Sequence, residues 1–362
     1  MYSIEEKFCI LLGERLVSAK KFYNILNNFE TVTEVIENFA TDSAIAQILG
    51  EDYSKLVNDW TQGGADDIIA DMQRNNVVAV TCFSDDFPQN LSYIDDKPYV
   101  LFCQGDVSLL NSECMAVIGT RKASVYGRKV AKDFTAVLSE QFTIVSGLAY
   151  GIDSIAHESA LEHDGKTIAV LGSGVLHIYP TSNKSLAEKI VANGGLIVSE
   201  YGLREYPAPY HFPHRNRIVS GLSHGLLVCQ APLKSGTNST VELALEQGKD
   251  IFAVPGEIYD MGFSGNNKLI KSMQGACVTS PRDIIDYYHL DAHQVEKQTY
   301  QFTIEEQTIV NVLAENGQMT FDQLYLATQI PLAELNFLLA NLELRSIIAK
   351  LPGNVYRMYG DI

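Results

Sequence analysis

Eight short apolar runs punctuate the middle of the chain: Val77–Thr81, Tyr99–Cys103, Ala116–Gly119, Phe142–Ser146, Thr167–Gly172, Leu196–Ser199, Leu226–Gln230 and Ile251–Val254. Amphipathic helical patterns lie between most of them, near 127–139, 153–163, 184–193, 213–222 and 238–248. A strand that is apolar without alternation has to be buried on both faces, and crossover helices are what cover both faces of a parallel sheet. The pattern therefore predicts an α/β fold built on a doubly wound, mainly parallel sheet. It also predicts where a ligand belongs, because in such sheets the binding loops gather beyond the carboxyl ends of the strands.

The loops after those strands are rich in Gly, Ser and Thr: Gly119-Thr120-Arg121, Ser146-Gly-Leu-Ala-Tyr-Gly-Ile-Asp153, Gly172-Ser-Gly174, Ser199-Glu200 and Ser235-Gly236-Thr237-Asn-Ser-Thr240. Each alone is more often a tight turn than a binding loop, but five on one rim predict a surface for phosphate or nucleotide. The junction Met115–Gly127 constrains that surface most. A strand that breaks into a loop opening a helix collects unpaired N–H groups and the positive end of the helix dipole, and Arg121 adds a planar fork of donors matched to phosphate oxygens. Neither the G-x-G-x-x-G of dinucleotide binding nor the G-x-x-x-x-G-K-[ST] of triphosphate loops is present. A large cation where the first motif has its second glycine would obstruct a pyrophosphate, yet it suits an open strand of nucleic acid.

Before the sheet, apolar positions from Ile4 to about Leu56 recur at three and four residues, so residues 1–65 are expected to form a small helical domain and 66–285 the sheet core. Residues 286–300 read as a polar linker. Three helical patterns, Ile304–Glu315, Thr320–Thr328 and Pro331–Leu344, followed by a hairpin pattern over Ile347–Arg357, predict a winged helix over 301–362. Its recognition helix would carry Glu334 and Glu343 and no cation, so the module is expected to contact protein or stabilise the fold rather than bind DNA.

No apolar run approaches the ~18 residues of a membrane span, and the N-terminus lacks the features of a signal peptide, so a cytoplasmic protein without membrane contact is expected. Six cysteines without a C-x-x-C pair read as reduced packing residues. His289 and His293 have H-x-x-x-H spacing but lack the glutamate of a zinc-protease helix, so neither metal nor cofactor is expected. The net charge of −17 opposes a nucleic-acid partner, but its distribution weakens the objection: residues 1–70 hold 5 basic against 12 acidic side chains and residues 300–362 hold 3 against 7. In the proportionately less acidic middle, Arg121, Lys122, Arg128, Lys129 and Lys132 cluster, as do His211, His214, Arg215 and Arg217.

Four long motifs in one order, V-I-G-T-R-K-A-S-V-Y-G, V-S-G-L-A-Y-G-I-D-S-I-A-H-E-S-A-L, F-P-H-R-N-R-I-V-S-G-L-S and S-G-T-N-S-T-V-E-L-A-L-E-Q-G-K-D-I-F-A-V-P-G, resemble the DprA/Smf family of bacterial DNA-processing proteins over roughly residues 70–280. The resemblance implies a Rossmann-like core flanked by a sterile-alpha-motif-like helical domain and a winged helix. It further implies binding of single-stranded DNA, a homodimer, loading of RecA recombinase during natural transformation, and no catalysis. By motif, Gly119, Thr120, Arg121 and Lys122 would hold phosphate, with Phe212, Arg215, Asn216, Arg217, Ser235, Gly236 and Thr237 completing the pocket. Leu269, Ile270 and Met273 fall in the stretch near the family's dimer interface. Phe212 is either a stacking platform for an unpaired base or a core aromatic beneath its loop, and Glu200 and Glu205 compete as partners for Arg215 and Arg217. In the first domain, Gly13-Glu-Arg-Leu-Val-Ser lacks the paired glycines of a DNA-binding hairpin.

Three other functions compete. Ser235–Thr240 also resembles the phosphate loop of nucleoside-monophosphate glycosidases, but Thr240 stands where those enzymes carry glutamate, leaving Glu242 or Asp153 as substitutes. Gly221-Leu-Ser223-His-Gly225 fits the G-x-S-x-G of serine hydrolases, although Ser223 follows a helical pattern and precedes a strand, the reverse of a nucleophile elbow. A sensor of a small signalling nucleotide would use the same pocket residues.

Overall fold

The computed structural model describes residues 2–290, 302–345, 347–351 and 353–358; the linker expected over 286–300 lies outside them from residue 291 onward, and so does His293. The chain forms two compact units, 1–293 and 294–362. The first is built on a nine-stranded sheet of β1 (Val78–Thr81), β2 (Val100–Gly105), β3 (Cys114–Gly119), β4 (Thr143–Ser146), β5 (Thr167–Val170), β6 (Leu196–Ser199), β7 (Gly225–Gln230), β8 (Asp250–Ala253) and β9 (Ala276–Cys277). Their order across the sheet is β1-β2-β6-β5-β4-β3-β7-β8-β9. From β6 to β9 the neighbours are parallel, and β2 and β1 extend the sheet antiparallel.

The expected strands are present within a few residues because their apolar side chains fill both faces. On one face Ala116 and Ile118 of β3 and Leu226 and Val228 of β7 share a core with Val219, Leu222, Val241 and Ala244. Those helical residues come from helices His211–Leu222 and Thr237–Glu246. On the other face Met115, Val117, Leu227 and Cys229 meet Val130, Ala131, Phe134, Ala156 and Ala160, from helices Val125–Leu138 and Ile152–Glu162. Fully burying one such aliphatic side chain stabilises by roughly 1.5–3 kcal/mol, so the βα units are held from both sides.

The helical region expected over 1–65 runs further, to the end of helix Gly64–Arg74, and it is not a separate body. Phe8, Leu11, Leu12, Phe22 and Phe39 pack in one hydrophobic cluster with Val100 and Phe102 of β2 and Ile197 of β6. A capping box starts its first helix: the Ser3 hydroxyl accepts from the N–H of Glu6, whose carboxylate accepts from the N–H of Ser3. The edge strand β1 is blunted by its neighbours, since the N–H of Ala79 donates to the Tyr2 hydroxyl and that of Thr81 to Ser84 Oγ. Capped edge donors leave less template for pairing with another chain.

The second unit contains helices Ile304–Asn316, Phe321–Thr328 and Leu332–Leu344 and the strands β10 (Gln318–Thr320), β11 (Ile348–Leu351) and β12 (Val355–Met358), ordered β10-β12-β11 in an antiparallel sheet. Three helices and a C-terminal hairpin thus follow one another in this unit, with β10 between the first two helices. Among the described residues, no helix is long and apolar enough to cross a membrane.

Candidate nucleic-acid interface

The chain steps outward from β3 through β4 and β5 to β6, then returns to place β7 on the other side of β3. Strand order reverses between β3 and β7, so the loops leaving their carboxyl ends diverge and open a crevice. A cavity of about 660 Å³ lies there, lined by Gly119, Thr120, Arg121 and Lys122 after β3, by Gly147, Ala149 and Asp153 after β4, and by Pro232, Lys234, Ser235 and Gly236 after β7, among others. The N-terminal turn of helix His211–Leu222 closes the remaining side with Phe212, Pro213, Arg215 and Asn216.

Local chemistry fixes these loops. Gly151 has φ 78°, and a Cβ there would come 2.4 Å from the Thr120 carbonyl oxygen. Only glycine lets the two loops meet at that distance. Ser124 caps the helix after the Gly-Thr-Arg turn, accepting from the N–H of Gly127, while its own N–H and hydroxyl donate to Gln230 Oε1 at the end of β7. The two switch-point strands are therefore tied together directly behind Arg121. Across the crevice, helix Thr237–Glu246 starts at Gly236, and Ser235 satisfies its first donors: the N–H of Thr237 donates to the Ser235 hydroxyl and that of Asn238 to the Ser235 carbonyl.

Arg121 is exposed, and among the described residues its guanidinium has neither a hydrogen-bond nor an ion-pair partner. Its Cζ lies 5.9 Å from the centroid of the half-buried Phe212 ring, within cation–π range. Asp153 is buried and accepts from the N–H groups of Gly147 and Ala149. Burial pushes its carboxyl above the usual range, with Arg215 and the two N–H groups opposing.

The family model for DNA recombination-mediator protein A matches residues 78–289. This chain belongs to that family. DNA processing protein DprA of Streptococcus pneumoniae is 45% identical over 202 residues, which is 56% of this chain and 71% of that one. Protein Smf of Escherichia coli is 37% identical over 297 residues, 79% of each chain. Among solved structures, DNA processing protein A of Streptococcus pneumoniae matches with a TM-score of 0.66 at 33% identity, covering 81% of this chain and all of the other. DNA processing protein A of Helicobacter pylori, solved for its single-stranded DNA binding mode, matches with a TM-score of 0.54 at 32% identity over 60% and 97%.

The pocket of this family member gathers every sequence-predicted binding residue except Arg217. Arg217 is a correction. It is 3% exposed, donates from both terminal nitrogens to Glu200 at 2.7 and 2.6 Å, and from Nε to Asp96 at 3.0 Å. Two residues along a helix turn about 200°, so Arg217 faces away from the crevice when Arg215 faces it. Arg215 lines the inner wall but is itself buried, with its guanidinium donating to the carbonyls of Gly147 and Val170. Neither Glu200 nor Glu205 pairs with it. Burial pulls Arg215 down to about 10, against the pull of Asp153, so it stays charged at neutral pH.

His214 completes the Arg217 network, with Nε2 3.1 Å from Asp96 and Nδ1 3.1 Å from Glu200. Those two hydrogen bonds raise its pKa to about 9, against burial and the Arg217 charge. Burial pushes Glu200 up, but His214 and Arg217 outweigh it and hold the carboxyl below its ordinary range. Because the folded pKa of His214 lies above its unfolded value near ~6.5, its contribution is complete below that value and is lost as pH rises through about 9. Urea midpoints measured at neutral pH and above this value should therefore fall more for the wild type than for His214→Gln.

The remaining polar residues serve different ends. Lys129 pairs with Asp133 along its own helix and Lys132 with Glu162 of helix Ile152–Glu162, and His211 is buried against Tyr201, so the basic clusters supply the pocket with fewer cations than their sequence suggests. Lys234, exposed on the rim, is a cation that the sequence motifs do not single out; its signal is its place immediately before Ser235-Gly236-Thr237 at a strand–helix junction. Ser223 ends helix His211–Leu222 with its hydroxyl donating to Val219 O, which is no nucleophile elbow. Leu269 and Ile270 are half-buried on helix Ser264–Lys271, while Met273 is 93% exposed beside edge strand β9.

Proposed function

We propose that the chain grips single-stranded DNA in the switch-point pocket and hands such strands to RecA recombinase in the cytoplasm, as a homodimer and without chemistry of its own. The observation that carries the reading is Arg121, an unpaired guanidinium beside the Phe212 ring at the mouth of a crevice. Unpaired bases are held by stacking on a flat side chain while cations follow the phosphates. In this reading Arg121, Lys122 and Lys234 meet phosphate, Gly119, Thr120, Ser235, Gly236 and Thr237 offer short polar contacts, and Phe212 and Asn216 meet a base. Arg215 shapes the wall.

The Helicobacter pylori relative supports a single-strand ligand. A glycosidase reading has less support, since Asp153 is the one carboxylate lining the pocket among the described residues and it is engaged by backbone N–H groups. The exposed Met273 beside the short edge strand β9 supports a subunit contact there. Helix Leu332–Leu344 exposes Phe337 and Leu344, which supports a protein contact for the C-terminal unit. Titrating labelled single-stranded and duplex oligonucleotides, with AMP as competitor, tests the reading: the single strand should bind more tightly than the duplex, and AMP should compete weakly. Saturation by AMP, or release of adenine from it, would overturn the proposal in favour of a sensor or a glycosidase.

A further inference from the structure

Beyond the pocket, rings continue along the carboxyl edge of the sheet. Tyr179, on the loop after β5, has its ring centroid 5.5 Å from that of Phe212. His177 lies two residues before it on the same loop, and Tyr206, on the loop after β6, packs on His177 with centroids 4.3 Å apart. These side chains are not folded inward: Tyr179 is 44% and Tyr206 70% exposed. A run of neighbouring aromatic rings that stays largely in water marks a binding surface more often than a packing accident.

The two loops that carry the rings are stiff. The N–H of Gly174 donates to the Glu205 carbonyl at 2.9 Å and that of Leu176 to the Leu203 carbonyl at 2.9 Å. A Cβ on Gly174 would come 2.1 Å from the Gly202 oxygen, so the loops pack backbone to backbone. The backbone next to the rings is therefore held in place, so a ligand that stacks on them has little main chain to order. Free cations on these loops are scarce, since Arg204 is held by Asp71 and its neighbour Glu205 is acidic. A phosphate-reading surface would need free cations here; a stacking surface does not.

We propose that Tyr179 and Tyr206, the latter with His177, form a second stacking stretch, one that does not rely on cations, for bases of the same single strand whose phosphates are held at Arg121, so that the DNA path runs from the pocket across the loops after β5 and β6. The inference rests on the single-strand reading of the pocket. It differs from that reading in its physics: stacking is tolerant of sequence and largely indifferent to salt, whereas phosphate contacts release counterions.

The test uses the full chain and a labelled oligothymidylate of about 16 nucleotides, the upper end of site sizes for such binders, at two salt concentrations. Tyr179→Ala and Tyr206→Ala should each weaken binding at least about fivefold, the lower end for one base–aromatic stack, with an unchanged salt slope. Tyr179→Phe should bind like the wild type, and in Tyr179→Trp the added indole emission should be quenched by the oligonucleotide. Wild-type affinity in both alanine variants, together with a weakened Arg121→Ala, would overturn the stacking stretch and leave the pocket standing. A wild-type protein that does not bind the single strand would overturn both.

Discussion

Arg217→Met is expected to destabilise the first unit by about 3–5 kcal/mol, the range for removing one partner of a buried ion pair. Arg217 is buried and meets the nearly buried Glu200 through two hydrogen bonds and Asp96 through a third. Methionine replaces the aliphatic stem but leaves the Glu200 carboxylate inside with His214 as its remaining cation. Asp96 is half-exposed and can return to water. The double variant Glu200→Gln with Arg217→Met should recover part of the loss, because no unpaired charge then remains buried. Urea unfolding at neutral pH reads both. A loss under about 0.5 kcal/mol, typical of a surface change, combined with a reduced salt slope for oligonucleotide binding, would instead return Arg217 to the DNA pocket.

The contrast between Arg217 and its neighbours shows what sequence conveys and what it withholds. Strands β3 to β8 were legible because burial on both faces writes itself as unbroken apolar runs, and the loops after β3 and β7 were legible because strand–loop–helix junctions need small residues. Strand β9 was not, since Ala276 and Cys277 are two exposed residues with no pattern. The end of the helical region leaves no mark in the sequence, because Val100 and Phe102 serve both the sheet and the helices packed on it and no gap in hydrophobicity separates them. Within Phe212-Pro-His-Arg-Asn-Arg217 the residue types announce a polar site, but the helix divides them between two sides. Phe212, Arg215 and Asn216 reach the crevice, whereas His214 and Arg217 reach Asp96 and Glu200. Asp96 is 121 residues away in the chain, and only the fold brings it there.

Arg121→Ala is expected to weaken single-strand binding roughly ten- to hundredfold, because a hydrogen bond to a charged group contributes about 1.5–3 kcal/mol. Its slope of log affinity against log salt should fall by about 0.7, since one phosphate of the single strand is no longer neutralised by the protein. Stability should change by less than about 0.5 kcal/mol, since the guanidinium is exposed and unpaired. Phe212→Ala separates the second half of the grip: losing one stacked base should weaken binding by about 1–3 kcal/mol without moving the salt slope. The two groups are 5.9 Å apart, close enough that a phosphate held by Arg121 and a base held by Phe212 belong to neighbouring parts of the strand. Their effects should therefore be non-additive, with the double variant weakened by less than the sum of the two single effects. Fluorescence anisotropy at two salt concentrations measures affinity and slope for all three variants. An Arg121→Ala protein that keeps wild-type affinity and slope would remove the phosphate from this crevice, and with it the reason to place a strand there.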